Sequence, residues 1–178
     1  MIAGTGSGCG KTTVTLAVLR AMQRRKIPLA AFKCGPDYID PMFHKAVLGI
    51  PSRNLDLFFI SEREVRGQIV RSIPQNGIGV IEGVMGFYDG VSGTTDTASA
   101  AHLARETGTP AILVVRPKGQ SLSLAAMLSG FRNFAENTLC GVILISVFIS
   151  SLRCVRFLIN SSVNFSSSSV IGRVFLKR

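Results

Sequence analysis

The chain has 178 residues, of which 47% are hydrophobic and 17% charged, so it favours one domain with a real core over a disordered protein. Lysine and arginine outnumber the acids by 20 to 10, but no basic stripe alternates with aromatic residues, so nucleic-acid binding is not expected. The longest apolar run, residues 139–149, is too short to cross a bilayer, and no signal peptide is recognisable. We therefore expect a cytoplasmic protein that has no membrane partner.

A glycine-rich loop follows the short apolar run at the start of the chain. Glycine permits the positive φ angles with which backbone N–H groups surround an anion, and the helical pattern that follows directs its positive end at the same point. The loop comprises Gly4, Thr5, Gly6, Ser7, Gly8, Cys9, Gly10, Lys11, Thr12 and Thr13, and it is one residue longer than the strict P-loop pattern. It predicts ATP binding, with Lys11 at the β- and γ-phosphates and the Thr12 hydroxyl on Mg²⁺. The alternative is a glycine-rich turn that happens to carry Lys-Thr.

Strand and helix patterns then alternate as far as residue 145. Helices are predicted at 11–25, 42–48, 61–72, 97–107 and 121–134; the third opens with a capping box of Ser61 and Glu64. Buried strands are predicted at 29–32, 78–81, 111–115 and 139–145, and residues 53–59 as a strand or an extended segment. The alternation predicts an α/β protein with a P-loop NTPase-like three-layer fold, in which a mostly parallel sheet carries helices on both faces.

Charged residues follow the ends of two predicted strands. Ligands bind at the carboxyl ends of parallel strands, so we expect these residues to meet the glycine-rich loop there. The predicted catalytic residues are Lys33, Asp37, Asp40, Glu82 and Asp89. Mg²⁺ prefers oxygen ligands, and Thr12, Asp37 and Glu82 are the predicted metal ligands. Each acid has a plainer interpretation, as a turn former, helix cap or surface acid, and Lys33 could be a surface lysine.

Two further polar residues near the predicted site have two interpretations each. His44 is as readily a packing residue of the short predicted helix as a substrate contact. Ser7 could donate to a phosphate or to a substrate carboxylate.

The last 33 residues differ in character, with nine serines and no acidic residue. Residues 152–159 could form a helix and residues 170–176 a strand. We therefore divide the chain into a P-loop domain, residues 1–145, and an atypical serine-rich basic tail, residues 146–178, for which a truncation or a frameshift is one explanation.

Three segments together resemble the amino-terminal domain of cobyrinate a,c-diamide synthases: residues 33–41 (KCGPDYIDP), 54–56 (NLD) and 82–90 (EGVMGFYDG). The lengthened P-loop is similar to that of this family and of its smaller relative, dethiobiotin synthetase. The resemblance covers residues 1–145. It implies an ATP- and Mg²⁺-dependent carbon–nitrogen ligase of cobalamin biosynthesis, which activates the a and c carboxylates of a corrin precursor as acyl phosphates and amidates them.

The resemblance also implies partners. The substrate would be a corrin or related tetrapyrrole carboxylate, and nitrogen would come from ammonia, or from glutamine through a glutaminase domain for which 178 residues leave no room. The chain is thus expected to be a partial synthetase. The alternatives are a switch or partitioning-type ATPase, which would dimerise over ATP, and a non-functional fragment. A homodimer is left open.

Overall fold

The protein is described by a computed structural model that covers residues 1–145 in full and residues 155–159 and 172–173 as backbone. The strands are β1 (Ile2–Gly4), β2 (Leu29–Cys34), β3 (Ser52–Leu55), β4 (Ile78–Glu82), β5 (Ala111–Val115), β6 (Leu139–Ile145), β7 (Val155–Ile159) and β8 (Gly172–Arg173). The helices are α1 (Lys11–Arg24), α2 (Ile39–Leu48), α3 (Glu62–Ser72), α4 (Ala100–Thr107) and α5 (Leu122–Asn133).

One sheet joins all of these strands, in the order β3-β2-β4-β1-β5-β6-β7-β8. The first six strands in this order are parallel, and β7 and β8 are added antiparallel beyond β6. The predicted α/β class and mostly parallel sheet are confirmed.

Two apolar cores lie on the two faces of the sheet. Alternate residues of a strand point to opposite faces, so Phe32 and Ile81 join one core while Ala31 and Val80 join the other. The first core receives residues of α3, α4 and α5, and the second receives residues of α1 and α2. Helices therefore cover both faces, which is the predicted three-layer arrangement.

Local hydrogen bonds explain where several elements begin. The capping box of α3 is present, since Ser61 accepts from the Glu64 N–H and Glu64 accepts from the Ser61 N–H. Helix α4 begins at Ala100, later than predicted, because the side chain of Ser99 caps it. Helix α2 begins at Ile39, earlier than predicted, after Asp37 accepts from two backbone N–H groups.

The helix predicted over residues 152–159 is wrong at residues 155–159, which form β7 antiparallel to β6. Valine, phenylalanine and isoleucine alternate with other residues there, a pattern that favours a strand. The strand predicted over 170–176 is described only at 172–173, as β8. Residues 146–154, 160–171 and 174–178 lie outside the described part, and with them most of the predicted tail. Across the described ranges, every helix is too short or too polar to span a membrane.

Candidate active site

The glycine-rich loop connects β1 to α1 and requires glycine at two positions in particular. Gly10 has a φ of 100°, and a Cβ built there would lie 2.6 Å from Ile145 Cδ1 at the end of β6. A Cβ on Gly4 would collide with the Sγ of Cys9. Ser7 and Gly8 are exposed at the tip of the loop, whereas Cys9 is buried beneath it. Added side chains would therefore collide at Gly4 and Gly10, whereas the space around Gly6 and Gly8 is open.

Lys11 begins α1 and is almost completely buried. Its Nζ donates to the carbonyl oxygens of Gly6, at 2.8 Å, and Met85, at 2.6 Å. Burial lowers the pKa of Lys11. Both hydrogen-bond partners are neutral carbonyls, so this ammonium keeps a charge that an anion could neutralise.

Glu82 ends β4 and lies at the centre of the site, with no exposed surface. The parallel register sets it beside Lys33 of the neighbouring strand β2. Its Oε1 accepts from the Thr12 hydroxyl at 2.6 Å and from Lys33 Nζ at 3.3 Å. Its Oε2 lies 3.2 Å from Nε2 of His44. The carboxylate thus joins the glycine-rich loop, β2 and α2.

Lys33 is the common counter-ion of this cluster. Its Nζ lies 2.5 Å from Asp40 Oδ2 and 3.7 Å from Asp37 Oδ2, and it also donates to the Gly83 carbonyl at 3.0 Å. Burial alone would lower the pKa of Lys33, but the negative charges of Glu82 and Asp40 outweigh it and raise that pKa. The lysine is therefore held as an ammonium.

The ionisation of Glu82 follows from the same balance. Burial would raise its pKa, but the hydrogen bond from His44, the charge of Lys33 and the hydrogen bond from Thr12 together lower it. An ionised carboxylate, a second carboxylate on Asp40 and the Thr12 hydroxyl thus converge, with Thr12 Oγ1 3.4 Å from Asp40 Oδ1. These hard oxygen donors fit the chemistry of Mg²⁺.

Two of the predicted acids lie at the margin of the cluster. Asp37 caps the start of α2, where its Oδ1 accepts from the Ile39 N–H at 2.8 Å. Asp89 is exposed, and its Oδ2 accepts from the Gly86 N–H at 2.7 Å within the loop after β4. Among the described residues, the acid that contacts Thr12 besides Glu82 is Asp40.

Two contributors to the site have roles that the sequence analysis did not assign: His44, which was open between packing and substrate contact, and the Met85 carbonyl. His44 proves to be a fully buried partner of Glu82, and its spacing of four residues from Asp40 on α2 was the signal that places both on one helix face. The contact of the Met85 carbonyl with Lys11 could not be predicted from the residue type, since it is made by the backbone. Met85 has a positive φ of 42°.

A second group of potential ligands, Glu62, His102 and Glu106, lies elsewhere, with one ligand atom of each within 4.8 Å of the others. Arg66 already pairs with Glu106 at 2.7 Å and with Glu62 at 3.6 Å. Nδ1 of His102 accepts from the Ala98 N–H, so the neutral ring carries its proton on Nε2 and has no free lone pair for a metal. We assign this group as an ion-pair cluster.

Comparison with known proteins gives concordant results. The CobQ/CobB/MinD/ParA nucleotide binding domain matches residues 1–160. Cobyrinate a,c-diamide synthase of Salmonella typhimurium is 43% identical over 175 residues, which are 98% of this chain and 38% of that protein. The synthase of Clostridium acetobutylicum is 48% identical over 146 residues, which are 81% of this chain and 32% of that protein. The synthase of Thermoplasma volcanium is 47% identical over 147 residues, which are 83% of this chain and 32% of that protein. The chain spans about a third of the length of these relatives.

Proposed function

The chain belongs to the CobQ/CobB/MinD/ParA nucleotide binding domain family, and from this membership we propose that it is the ATP-dependent part of an amide-forming ligase. It would activate the a and c carboxylates of cobyrinate, or of a related corrin precursor, for amidation in cobalamin biosynthesis. The observation that carries the proposal is the contact of the Thr12 hydroxyl with Glu82 at 2.6 Å, directly behind the glycine-rich loop. The names of the relatives supply the substrate class.

The loop and Lys11 would bind the phosphates of ATP. Backbone N–H groups of the loop after Thr5 and the N-terminus of α1 would offer donors to oxyanions, whereas the Thr5 N–H already donates to the Val114 carbonyl. Lys11 would exchange its two carbonyl partners for oxygens of the β- and γ-phosphates. This exchange is favourable because a charged acceptor forms a stronger hydrogen bond with an ammonium than a neutral carbonyl does.

Thr12, Glu82 and Asp40 would hold Mg²⁺, with Asp37 available from the start of α2. The bound ion would supply positive charge at the β- and γ-phosphates during transfer. Lys33 would add a second positive charge from the side of β2, where Asp40 and Glu82 keep it protonated. Asp89 would contribute by shaping the loop after β4, whose Met85 carbonyl contacts Lys11.

The reaction then requires two displacements. An oxygen of the substrate carboxylate attacks the γ-phosphorus, and the bond from that phosphorus to the β-phosphate oxygen breaks. ADP departs, and the corrin carboxylate becomes an acyl phosphate. Ammonia attacks the acyl carbon and loses a proton, inorganic phosphate departs, and the amide remains. Positioning and charge neutralisation by Lys11, Lys33 and the acids account for most of the catalysis expected of such a site.

The test is an assay of the purified chain with ATP, Mg²⁺, an ammonium salt and cobyrinic acid. We expect ADP release that depends on the corrin acid and mass-spectrometric appearance of the amide. ATP binding without any corrin-dependent ADP release would contradict the ligase proposal. Omission of the corrin measures background hydrolysis and serves as the control.

A further inference from the structure

His44 lies on α2, one turn after Asp40, and its imidazole has no exposed surface. Nε2 lies 3.2 Å from Glu82 Oε2, and Nδ1 lies 2.9 Å from the hydroxyl of Ser52 at the start of β3. Both ring nitrogens therefore have a polar partner, and these come from β3 and β4, on either side of β2.

The partners define the tautomer of the neutral ring. An ionised carboxylate only accepts hydrogen bonds, so Nε2 carries the proton and donates it to Glu82. Nδ1 then accepts from the Ser52 hydroxyl. A chain of donors runs from Ser52 through His44 to Glu82, and each group orients the next.

The two oxygens of Glu82 consequently have separate surroundings. Oε2 is held by His44 on the side of α2, while Oε1 is held towards Thr12 and Lys33. We propose that His44 is a positioning residue, which fixes the Glu82 carboxylate so that Oε1 faces the Thr12 hydroxyl and the phosphate end of the site, with Ser52 fixing the imidazole. The role in nucleotide binding rests on the proposed function; the orientation of Glu82 does not.

Simple packing does not account for this arrangement. An apolar side chain of similar size would fill the space but would leave Glu82 Oε2 without a partner in a buried site, which is costly. Residues that orient a metal-binding carboxylate typically change metal affinity or activity by about 10- to 100-fold when they are replaced. His44 has the location and the hydrogen bonds of such a residue.

The test compares three variants of helix α2. His44→Leu removes the donor to Glu82, His44→Gln restores an N–H near the position of Nε2, and Leu48→Ala removes buried packing from α2 without touching Glu82. Calorimetry with a non-hydrolysable ATP analogue, with and without Mg²⁺, measures the metal-dependent part of the affinity. Nitrogen NMR of the histidine rings in wild type, Glu82→Gln and Ser52→Ala reports the tautomer without any nucleotide.

We expect His44→Leu to lose about 10- to 100-fold of the Mg²⁺-dependent affinity, with little change in Mg²⁺-free affinity, and His44→Gln to regain most of it. We also expect an Nε2–H tautomer whose signal shifts in Glu82→Gln. The proposal would be overturned if His44→Leu and Leu48→Ala lost equal Mg²⁺-dependent affinity. It would also be overturned if the nitrogen signals of the His44 ring did not change in Glu82→Gln. If His44→Leu does not fold, the proposal is tested by the affinity of His44→Gln and by the NMR of Ser52→Ala. An Nδ1–H tautomer of His44 in the wild type would overturn the proposal.

Failure of the proposed function is distinguishable. A wild-type chain that binds the Mg²⁺–nucleotide but never consumes ATP with a corrin acid refutes the ligase and leaves the His44 comparison intact. If the chain binds no nucleotide, the NMR comparison alone tests whether His44 orients Glu82.

Discussion

The Nζ of Lys11 lies 2.6 Å from the carbonyl oxygen of Met85, 74 residues further along the chain. This hydrogen bond joins the glycine-rich loop to the loop after β4, and the Phe87 N–H reinforces it by donating to the Gly4 carbonyl at 2.8 Å. The two loops that surround the candidate phosphate site are therefore held together by both backbone and side-chain contacts.

Lys11→Ala is expected to weaken ATP–Mg²⁺ binding strongly. A hydrogen bond from an ammonium to a charged group contributes about 1.5–3 kcal/mol, or roughly 10- to 100-fold in affinity. Calorimetry on both proteins measures the difference, and Arg25→Ala, an exposed cation at the far end of α1, is the matched control. Equal affinity in wild type and Lys11→Ala would rule out phosphate binding by this lysine.

Glu82→Gln is expected to abolish phosphoryl transfer and to weaken Mg²⁺-dependent nucleotide binding, while leaving Mg²⁺-free nucleotide binding largely intact. Glutamine keeps an oxygen that can accept from Thr12, but it removes the negative charge beside Lys33 and the proposed metal site. Loss of that charge in a dry site should slow turnover on the order of a hundredfold or more. Glu136→Gln, on an exposed side chain, controls for the loss of an acid. Unchanged ATP turnover would show that Glu82 has no part in the chemistry.

Asp89→Ala is expected to destabilise the fold more than Asp89→Asn. The buried N–H of Gly86 loses its acceptor in the alanine variant, at a cost of about 1–3 kcal/mol, whereas asparagine retains an acceptor oxygen. Denaturant unfolding of the three proteins measures this difference. Equal stability of the two variants would mean that the Gly86 contact contributes little, and Asp89 would then need a role outside the turn.

Cys140 should react with alkylating reagents long before Cys34. Burial raises the pKa of the Cys34 thiol to about 12, so at pH 9 only roughly one molecule in a thousand carries the reactive thiolate there. Because the pKa of Cys34 is raised, its thiol stays neutral and unreactive well into the alkaline range, and it is also buried, whereas Cys140 is exposed to the reagent. Peptide mass spectrometry after brief iodoacetamide treatment separates the sites. Cys140→Ser should remove the fast modification of the peptide that contains residue 140, and fast modification of Cys34 in the folded protein would contradict its burial.

The polypeptide alone is expected to use ammonia and not glutamine. A glutaminase needs a thiolate next to a histidine base. In the fully described part of the chain, Cys9 and Cys34 are buried, and the exposed Cys140 donates from its Sγ to the Ala111 carbonyl. The two histidines have other partners, since His44 contacts Glu82 and Ser52 and His102 accepts from a backbone N–H. Amide formation with ATP and a corrin acid, compared between glutamine and an ammonium salt, checks this. Glutamine-supported turnover would overturn it.

Much of the fold could be predicted because its signals are local. The bounds predicted for β6 are those observed, and the Ser61–Glu64 box is present, since periodicity and caps depend on neighbours in sequence. Boundaries that depend on one hydrogen bond were less accurate, as at Ser99, which starts α4 later than its pattern suggested.

The site was harder to predict, because its details depend on contacts distant in sequence. Asp37 and Asp40 lie in one short segment, and only the start of α2 at Ile39 makes Asp37 a cap and turns Asp40 to Thr12. The role of His44 depends on a carboxylate 38 residues away, and that of Met85 on a backbone carbonyl. The spacing of Asp40 and His44 places both on one face of α2, but it does not identify the residues of other strands that they contact.

The strand order also has a consequence for how the protein is made. Among the described strands, β1 is synthesised first but lies in the middle of the sheet, where Ile2 pairs with both Glu82 and Ile112. Such long-range pairings form slowly, and a domain folds as a unit as it leaves the ribosome. The glycine-rich loop therefore has no fixed support until β5 has emerged. A nascent chain that stops before residue 115 should hold no nucleotide, although its entire phosphate-binding motif has already been translated.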